Sequence, residues 1–384
     1  MKLLKNKDKE ILNIALPAIV ANITVPLLGL VDVAITGHLG NAAYIAAIAV
    51  GSMLFNVIYW VFGFLRMGTS GMTAQAYGRG DSAETMLLLM RGLCVALAVA
   101  LAVLVLQRPL LALAISVMGV EPSLQPLVRT YFQICVWGAP AMLCLYAFTG
   151  WFIGLQNTRI TMTVSIVQNI VNIVASLVLV YGLGMKIDGV ATGTLIAQWG
   201  GLLVAASYAC LKHRGLLRSL SLRAVTRGEA LMQFFNVNRD IFLRTLFLVA
   251  VNLFFVSAGA TQGTVVLAVN TLLMQLFTLF SYVMDGFAYA GEALCGKYAG
   301  AGDRTGFHAT VLRLFVWGAI LTTAYTAVYA LGGNTFLSLL TDDAPVLAAA
   351  AQYLPWAVAI PVAGVAAFVW DGVFIGTTST RAML

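Results

Sequence analysis

A few polar and ionisable side chains stand inside long apolar segments, where such groups are rare. Asp32 lies in one of these segments, together with Asn22 and Pro26. A charged side chain in a bilayer costs about 3 kcal/mol or more, so an ionisable residue there is a functional candidate. A proline inside a helix leaves a backbone carbonyl unpaired and permits a bend. We hypothesise that Asp32 takes up a proton and that its helix changes shape with it; a neutral, structural hydrogen-bonding role is the alternative.

A second polar group forms one face of a later apolar segment. Asn169, Asn172 and Ser176 follow at spacings of three and four residues, which places them on one side of a helix. An amide face in an apolar environment must point away from lipid. Two interpretations are open: the face contributes to a proton-coupling site with Asp32 and Pro26, or it holds neighbouring helices together.

The C-terminal half carries a third polar group. Asp285 and Glu292 are seven residues apart and therefore share a helix face, and Asp371 lies on a later segment. Arg66 and Arg244 are the obvious cationic partners for some of these carboxylates, in a structural ion pair or in a functional role. We predict a substrate cavity lined by Asn22, Arg66, Asn270, Gln275, Asp285, Glu292 and Asp371.

The motifs of common enzymes are not found. The stretch from Gly291 to Lys297 resembles a P-loop, but Tyr298 stands where Ser or Thr is required and no strand precedes it. The three histidines lack metal-ligand spacing, and the cysteines have no paired spacing. We therefore expect no enzyme, no cofactor, no metal site and no ATPase module, so any transport must draw on an ion gradient.

The composition indicates an integral membrane protein. Hydrophobic residues make up 61% of the chain and charged residues 10%, against about 25% charged residues in soluble domains. Helices, not barrel strands, follow from apolar segments of about 20 residues or more. The fold class is thus predicted to be all-α and polytopic, with a short interfacial helix at 109–119. The predicted spans are 11–35, 45–72, 87–106, 130–154, 160–183, 189–211, 240–260, 264–295, 309–331 and 346–376.

The distribution of basic residues predicts the orientation. With the N-terminus in the cytoplasm, the opposite side holds only Arg108, Arg129 and Lys186, and the cytoplasmic connections hold most other Arg and Lys residues. This asymmetry accounts for the formal net charge of +7 without a nucleic-acid partner. The longest connection, about 212–238, is strongly basic and is the natural linker between two halves.

The chain also repeats itself at an offset of about 222 residues. The pattern Gly-x-Phe-Ile-Gly at 150–154 returns at 372–376, and Gly-x-Gly-Asp at 78–81 returns at 300–303. One unit holds six helices, so both copies enter the membrane from the same side. We predict an N-lobe at 1–211, a linker at 212–238 and a C-lobe at 239–384. Two full units need about 444 residues, so the C-lobe is expected to lack its last two helices through C-terminal truncation.

Five segments together resemble the multidrug and toxic compound extrusion (MATE) family, in particular its bacterial DinF-type branch. They cover essentially the whole chain: Pro-Leu-Leu-Gly-Leu-Val-Asp at 26–32 followed by Gly-His-Leu, Phe-Leu-Arg-Met-Gly-Thr-Ser-Gly at 64–71, Asn-Arg-Asp at 238–240, Asp-Gly-Phe-Ala-Tyr-Ala at 285–290, and Asp-Gly-x-Phe-Ile-Gly at 371–376. The resemblance implies twelve helices in two six-helix lobes around a V-shaped cavity. It points to Asp32 as the proton-responsive carboxylate, with Asn172 nearby. Ser176 departs from this pattern, since the branch often has an aspartate there.

The expected function is secondary active export of amphiphilic, cationic compounds in exchange for protons, with sodium as the other possible ion. We expect a monomer in the bacterial inner membrane, contacting lipid and small-molecule substrates only. One alternative is a flippase for lipid-linked precursors in the same superfamily, which would need several Arg or Lys residues in its cavity. Another is an inactive truncated fragment.

Overall fold

The computed structural model describes residues 2–38, 41–215, 222–225 and 228–383. Within these ranges the chain is helical and contains no strand, as the sequence predicts. Nine helical stretches of the described residues are long and apolar enough to cross a membrane, and two of them, Ala42–Gly78 and Gln125–Gly154, consist of two consecutive helices. The helix Lys2–Gly37 corresponds to the remaining predicted span. Part of the predicted linker, 216–221 and 226–227, lies outside the described residues.

The described residues up to 212 form nine α-helices. The predicted span 45–72 is two helices, separated at Phe62 and Gly63, and the predicted short helix at 109–119 is confirmed as α5. A 3-10 turn joins α6 to α7, and a π-helical turn ends α8. The helices are α1 Lys2–Gly37, α2 Ala42–Val61, α3 Phe64–Gly78, α4 Ser82–Val105, α5 Gln107–Val117, α6 Gln125–Cys135, α7 Ala139–Gly154, α8 Thr158–Leu177 and α9 Ile187–Lys212.

The described residues of the second half form one short helix and four long ones. The span predicted at 240–260 begins earlier than expected, so the second part of the predicted linker is helical. The remaining bounds lie within a few residues of the predicted spans, although α13 continues nine residues further than predicted (340 minus 331). The helices are α10 Leu222–Val225, α11 Gly228–Thr261, α12 Thr264–Ala301, α13 Arg304–Leu340 and α14 Ala344–Gly376.

The turns that enter α4 and α13 have the same local geometry. Asp81 and Asp303 each cap the following helix, accepting the backbone N–H three residues further on at 2.9 Å. Gly80 and Gly302 precede them with φ of 73° and 70°, which a residue without a Cβ adopts at low cost. Each pair differs by 222 residues, so the repeat read from the sequence is also a repeat of backbone conformation.

Helix packing within each lobe repeats in the same way. A Cβ atom at Gly150 would overlap the carbonyl of Arg66, and one at Gly372 would overlap the carbonyl of Ala288. Both the glycines and the carbonyls they contact are 222 residues apart. α7 thus packs on α3 as α14 packs on α12, which gives two pseudo-symmetric helical lobes.

α1 bridges the lobes. Near its start, Asp8 accepts hydrogen bonds of 2.6 and 2.7 Å from Arg313 of α13, and one of 3.0 Å from Trp317. Further along, Thr24 lies 3.0 Å from the hydroxyl of Ser165 on α8. One end of the molecule carries the turns at 79–81, 155–157, 302–303 and 377–379. We call it the basic end, because the positive-inside rule predicts that its Arg- and Lys-rich connections lie in the cytoplasm.

Candidate functional site

The polar face of α8 packs on both of its neighbours. Asn169 donates a 3.1 Å hydrogen bond to the backbone carbonyl of Thr24 on α1. Asn172 is 1% exposed and donates to the hydroxyl of Thr194 on α9 at 3.1 Å. Ser176 is fully buried against Gly193 of α9. The face therefore points inward, as predicted, and ties α8 to the helices on either side.

Asp32 is a partly buried carboxylate in the half of the N-lobe that is distant from the basic end. Its Oδ1 atom is buried and has no hydrogen-bond partner among the described residues. The hydroxyl of Tyr131 and the thiol of Cys135 lie within electrostatic range of it. A buried carboxylate oxygen without a donor is unfavourable when charged, so the site favours binding of a proton or a cation.

Seven more side-chain atoms of the N-lobe share this property, on Tyr59, Thr69, Thr73, Gln156, Asn172, Ser176 and Gln198. Asn172 Oδ1 and Ser176 Oγ are buried and unpartnered among the described residues. Buried polar atoms normally have a hydrogen-bond partner, so unsatisfied ones indicate a site that a further group completes. Three of these eight N-lobe atoms lie on α1 and α8, the two helices for which the sequence predicts a coupling site.

Pro26 and Asn22 lie in the continuous helix α1. The Pro26 side chain is exposed, and α1 runs through both of its prolines without interruption. Asn22 donates a 3.2 Å hydrogen bond to the backbone carbonyl of Tyr282 on α12. Asn22 thus connects α1 to the C-lobe.

A charged cluster lies where α3 meets α12. Arg66 donates to both carboxylate oxygens of Glu292 at 3.2 and 3.3 Å, and its guanidinium lies 4.3 Å from the centre of the Tyr289 ring. The hydroxyl of Ser70 also donates to Glu292, whose exposed fraction is only 1%. The predicted pairing of Arg66 with a C-lobe carboxylate is confirmed.

A second ion pair completes the cluster. Arg244 of α11 and Asp371 of α14 lie 2.6 Å apart, which confirms Arg244 as the other cationic partner. Asp285 lies within electrostatic range of both arginines, of Asp371 and of Glu292. Two guanidinium groups thus face three carboxyl groups, which leaves one negative charge when all of them are ionised.

Two of the predicted cavity residues lie far from this cluster. Asn270 packs against Gly259 of α11, and Gln275 is exposed on α12. Asn270 and Glu292 are separated along α12 by 22 residues, or roughly 33 Å. The structure therefore brings together Arg66, Asp285, Glu292 and Asp371, and leaves Asn270 and Gln275 nearer the other end of the helix.

Sequence reasoning missed Ser70 and Tyr289, although both contact the cluster. The signal for Ser70 was present, because it differs from Glu292 by 222 residues, the repeat offset. Tyr289 has no such signal, because a tyrosine within an apolar helix cannot be distinguished from an ordinary core residue by its sequence position. The Asp8–Arg313 pair between α1 and α13 was likewise unpredicted, as its partners are 305 residues apart.

Comparison with known proteins identifies relatives over the whole chain. A family model described as MatE matches residues 17–178 and 241–384. DNA damage-inducible protein F of Escherichia coli (strain K12) is 37% identical over 391 residues, which cover 100% of this chain and 83% of that protein. The probable multidrug resistance protein NorM of Shewanella oneidensis is 30% identical over 205 residues, which cover 52% of this chain and 44% of that protein.

Solved structures show the same fold. An outward-facing multidrug resistance MATE family transporter of the MOP superfamily superposes with a TM-score of 0.88 at 19% identity, covering 100% of this chain and 85% of that one. A MATE crystal structure in the bent conformation gives a TM-score of 0.85 at 20% identity, covering 100% and 86%. At these identities the likeness concerns the fold alone.

Proposed function

This chain belongs to the MatE family of multidrug and toxic compound extrusion transporters, and from that premise we propose that it exports amphiphilic cations in exchange for protons. The observation that carries the proposal is Asp32, a partly buried carboxylate whose Oδ1 has no donor among the described residues. A proton satisfies such a group by removing its charge. The chain contains no ATPase motif in its sequence, so a proton gradient is the proposed source of energy.

The proposed coupling site consists of Asp32 and Pro26 on α1 and of Asn172 and Ser176 on the polar face of α8, with Asn169 of the same face holding α8 against α1. Asn172 and Ser176 have unsatisfied oxygens that a rearranged α1 could engage, and Asn169 already holds the backbone of α1 through Thr24. Pro26 removes one backbone hydrogen bond from α1, so a bend there breaks fewer bonds than elsewhere. Proton binding at Asp32 is proposed to change the path of α1 relative to α8.

The proposed substrate site lies between the lobes. Asp285 and its neighbours carry one more carboxyl group than guanidinium, which suits a positively charged compound. The ring of Tyr289 offers cation–π attraction. Asn22, Asn270 and Gln275 are proposed to line the rest of the path, since they lie between this cluster and the opposite end of the molecule.

We also propose the membrane arrangement. The N-terminus and the basic end lie in the cytoplasm of a bacterium, the chain functions as a monomer in the inner membrane, and residues 1–211 and 239–384 act as two lobes joined by the linker 212–238. The positive-inside distribution of the Arg and Lys residues supports the orientation. The repeated turns and helix contacts at an offset of 222 support the division into lobes.

The flippase alternative is less well supported. A site for a pyrophosphate-linked lipid needs unpaired cationic groups. Arg66 and Arg244 each pair with a carboxylate, and the cluster they belong to carries an excess of acidic groups. This charge balance favours a cationic substrate.

The test is export from proteoliposomes under an imposed proton gradient or an imposed sodium gradient, with a fluorescent amphiphilic cation as substrate. We expect the proton gradient alone to drive export by the wild-type chain. Asp32→Asn should abolish gradient-driven export while leaving the amount of folded protein unchanged, because it preserves size and removes the titratable group. Asp342→Asn, the same change at an exposed position, serves as the control. Full export by Asp32→Asn, or export driven by sodium alone, would rule out this assignment.

A further inference from the structure

The interface between the lobes follows the internal repeat. Ser70 and Glu292 differ by 222 residues, and the Ser70 hydroxyl donates to the Glu292 carboxylate. Ala74 and Gly296 are also 222 residues apart, and a Cβ atom built on Gly296 would lie 2.6 Å from that of Ala74. Two equivalent residues can meet only where the symmetry axis passes between them. The pseudo-twofold axis therefore runs between α3 and α12 at these positions.

Away from the axis, contacts between the lobes have symmetry-related counterparts in which the two repeats exchange roles. A Cβ atom on Gly78 would overlap the backbone carbonyl of Lys297, and one on Gly300 would overlap that of Gln75. Gly78 and Gly300 are equivalent positions of the two repeats, and so are Gln75 and Lys297, so the pseudo-twofold axis relates the two contacts to each other. Small residues at such positions permit direct backbone approach between helices. The closely packed stretch from Ser70 to Gly78 covers about 12 Å of α3 and ends at the basic end.

Charge breaks this symmetry close to the axis. The second repeat has a glutamate where the first has Ser70, and the first has Arg66 where the second has Ala288. Arg66 and Glu292 form an ion pair of 3.2 Å, with side chains only 12% and 1% exposed. A buried charge that loses its partner is strongly unfavourable, so this pair resists separation of the two helices that carry it.

The surroundings of Glu292 make Arg66 its only close cationic partner among the described residues. α3 contributes Arg66 and Ser70, and α12 contributes Asp285 and Tyr289. On the neighbouring helices, Asp371 repels the carboxylate and is itself held by Arg244 at 2.6 Å. If Arg66 moves away with the N-lobe, Glu292 remains beside two further carboxyl groups.

We infer that Arg66 and Glu292 form a latch between the lobes: an ion pair at the pseudo-twofold axis that holds the basic end closed and separates when the lobes move apart. The inference rests on the proposed transport function, since it concerns the movement that exposes the substrate site to the basic side. It assigns Glu292 a positioning role, because this carboxylate acts through Arg66 on the arrangement of the lobes. The closely packed glycines allow α3 and α12 to approach each other. The ion pair makes this approach depend on opposite charges at positions 66 and 292.

The experiment measures the separation of the lobes directly. Spin labels on exposed residues at the basic end, Arg79 of the first lobe and Arg304 of the second, report it as a distance distribution in detergent, without substrate or gradient. The exposed Cys94 and Cys210 are first replaced by serine, so that only the introduced cysteines are labelled. This readout does not depend on proton coupling at Asp32, so failure of the latch and failure of the proposed function can be distinguished.

Glu292→Gln keeps the size of the side chain and its contact with Ser70 but removes the charge. We expect the long-distance population to rise at least tenfold relative to the short one. Arg66→Gln should act in the same direction, and the exchange Arg66→Glu with Glu292→Arg should return the distribution toward that of the wild type. The control is Glu84→Gln, which removes an ion pair with Arg91 inside one lobe and should leave the distances unchanged.

Two results would overturn the latch. One is an unchanged distance distribution in both single variants. The other is a charge exchange that leaves the lobes as far apart as the single variants do, since the pair would then not act through its mutual attraction. If Glu292→Gln does not yield folded protein, Arg66→Gln and the charge exchange provide the same decision.

Discussion

At the scale of single residues, the buried polar atoms of the N-lobe divide into satisfied and unsatisfied ones. Asn169 makes a hydrogen bond to the backbone of α1, whereas Asp32 Oδ1, Asn172 Oδ1 and Ser176 Oγ have no partner among the described residues. A satisfied amide contributes to holding helices together, and an unsatisfied oxygen is available to a ligand or to another conformation. The two interpretations of the α8 polar face thus apply to different members of it.

Asn169 therefore allows a test of the structural interpretation. Asn169→Ala removes the 3.1 Å hydrogen bond to Thr24 and should lower the free energy of unfolding by about 0.6 kcal/mol, the average for hydrogen bonds between membrane helices, and by no more than about 1.7 kcal/mol. Export per folded molecule should remain close to that of the wild type, because Asp32 is untouched. Thermal unfolding and the proteoliposome assay measure the two effects separately. Abolished export at unchanged stability would instead make Asn169 part of the coupling site.

At the scale of helices, α1 has a fixed beginning and a polar middle. Its first turns are attached to α13 by Asp8 and Arg313, at a position before the apolar span. The hydrogen bond from Arg313 holds the pKa of the Asp8 carboxyl below its ordinary value. A lowered pKa in the folded state means that this pair stabilises the protein above the pKa of the unfolded chain and that the stabilisation is lost as the pH falls through the folded value.

This linkage predicts the pH dependence of the α1 anchor. Asp8→Asn should lower the free energy of unfolding by no more than about 1 kcal/mol at pH 7, because the pair is partly exposed to solvent. The difference between variant and wild type should persist down to about pH 4 and shrink below it, as Asp8 becomes protonated in both states of the wild type. Thermal unfolding at pH 7 and pH 3 measures this. A difference that grows in acid would contradict the sign of the shift.

The packing of α3 on α12 leads to a prediction about volume. Gly78→Leu places a side chain where the backbone carbonyl of Lys297 lies, so the lobes cannot close at the basic end without displacement. Overpacking of this kind costs about 1–3 kcal/mol, which lowers the closed-to-open ratio by roughly 5- to 150-fold. The label distances described above should lengthen accordingly. Gly332→Leu, on α13 with open space around its Cβ position, should leave them unchanged; equal distances in both variants would refute the close contact.

At the scale of the whole molecule, the sequence predicts the architecture well and the contacts poorly. Ten spans, the short helix α5 and two lobes related by an offset of 222 all follow from apolar length and from repeated Gly-x-Gly-Asp and Gly-x-Phe-Ile-Gly patterns. The break between α2 and α3 and the early start of α11 do not, because no proline marks the first and the apolar pattern is interrupted in the second. The positions at which these helices begin and end depend on tertiary packing.

The partners within the charged cluster also depend on tertiary structure. Sequence identifies Arg66, Arg244, Glu292 and Asp371 as charges that need partners in a membrane. The relative position of four helices decides which arginine pairs with which carboxylate. Arg66 and Glu292 are 226 residues apart, so their spacing in the sequence does not indicate that they pair. Asn270 and Gln275 were grouped with the cluster because they share its helix, whereas the length of α12 places them near its other end.

The contact between Ser70 and Glu292 on the axis has a consequence for how alike the two repeats can be. In a homodimer of one repeat, a residue on the twofold axis faces its own copy, so a glutamate there would oppose a second glutamate in a buried position. Like charges at such a distance repel each other strongly. An Arg–Glu pair with serine on the opposite side therefore requires that the two repeats differ in sequence. A single chain with two unlike repeats meets this requirement, and it can therefore carry a charge at the centre of its own pseudo-symmetry.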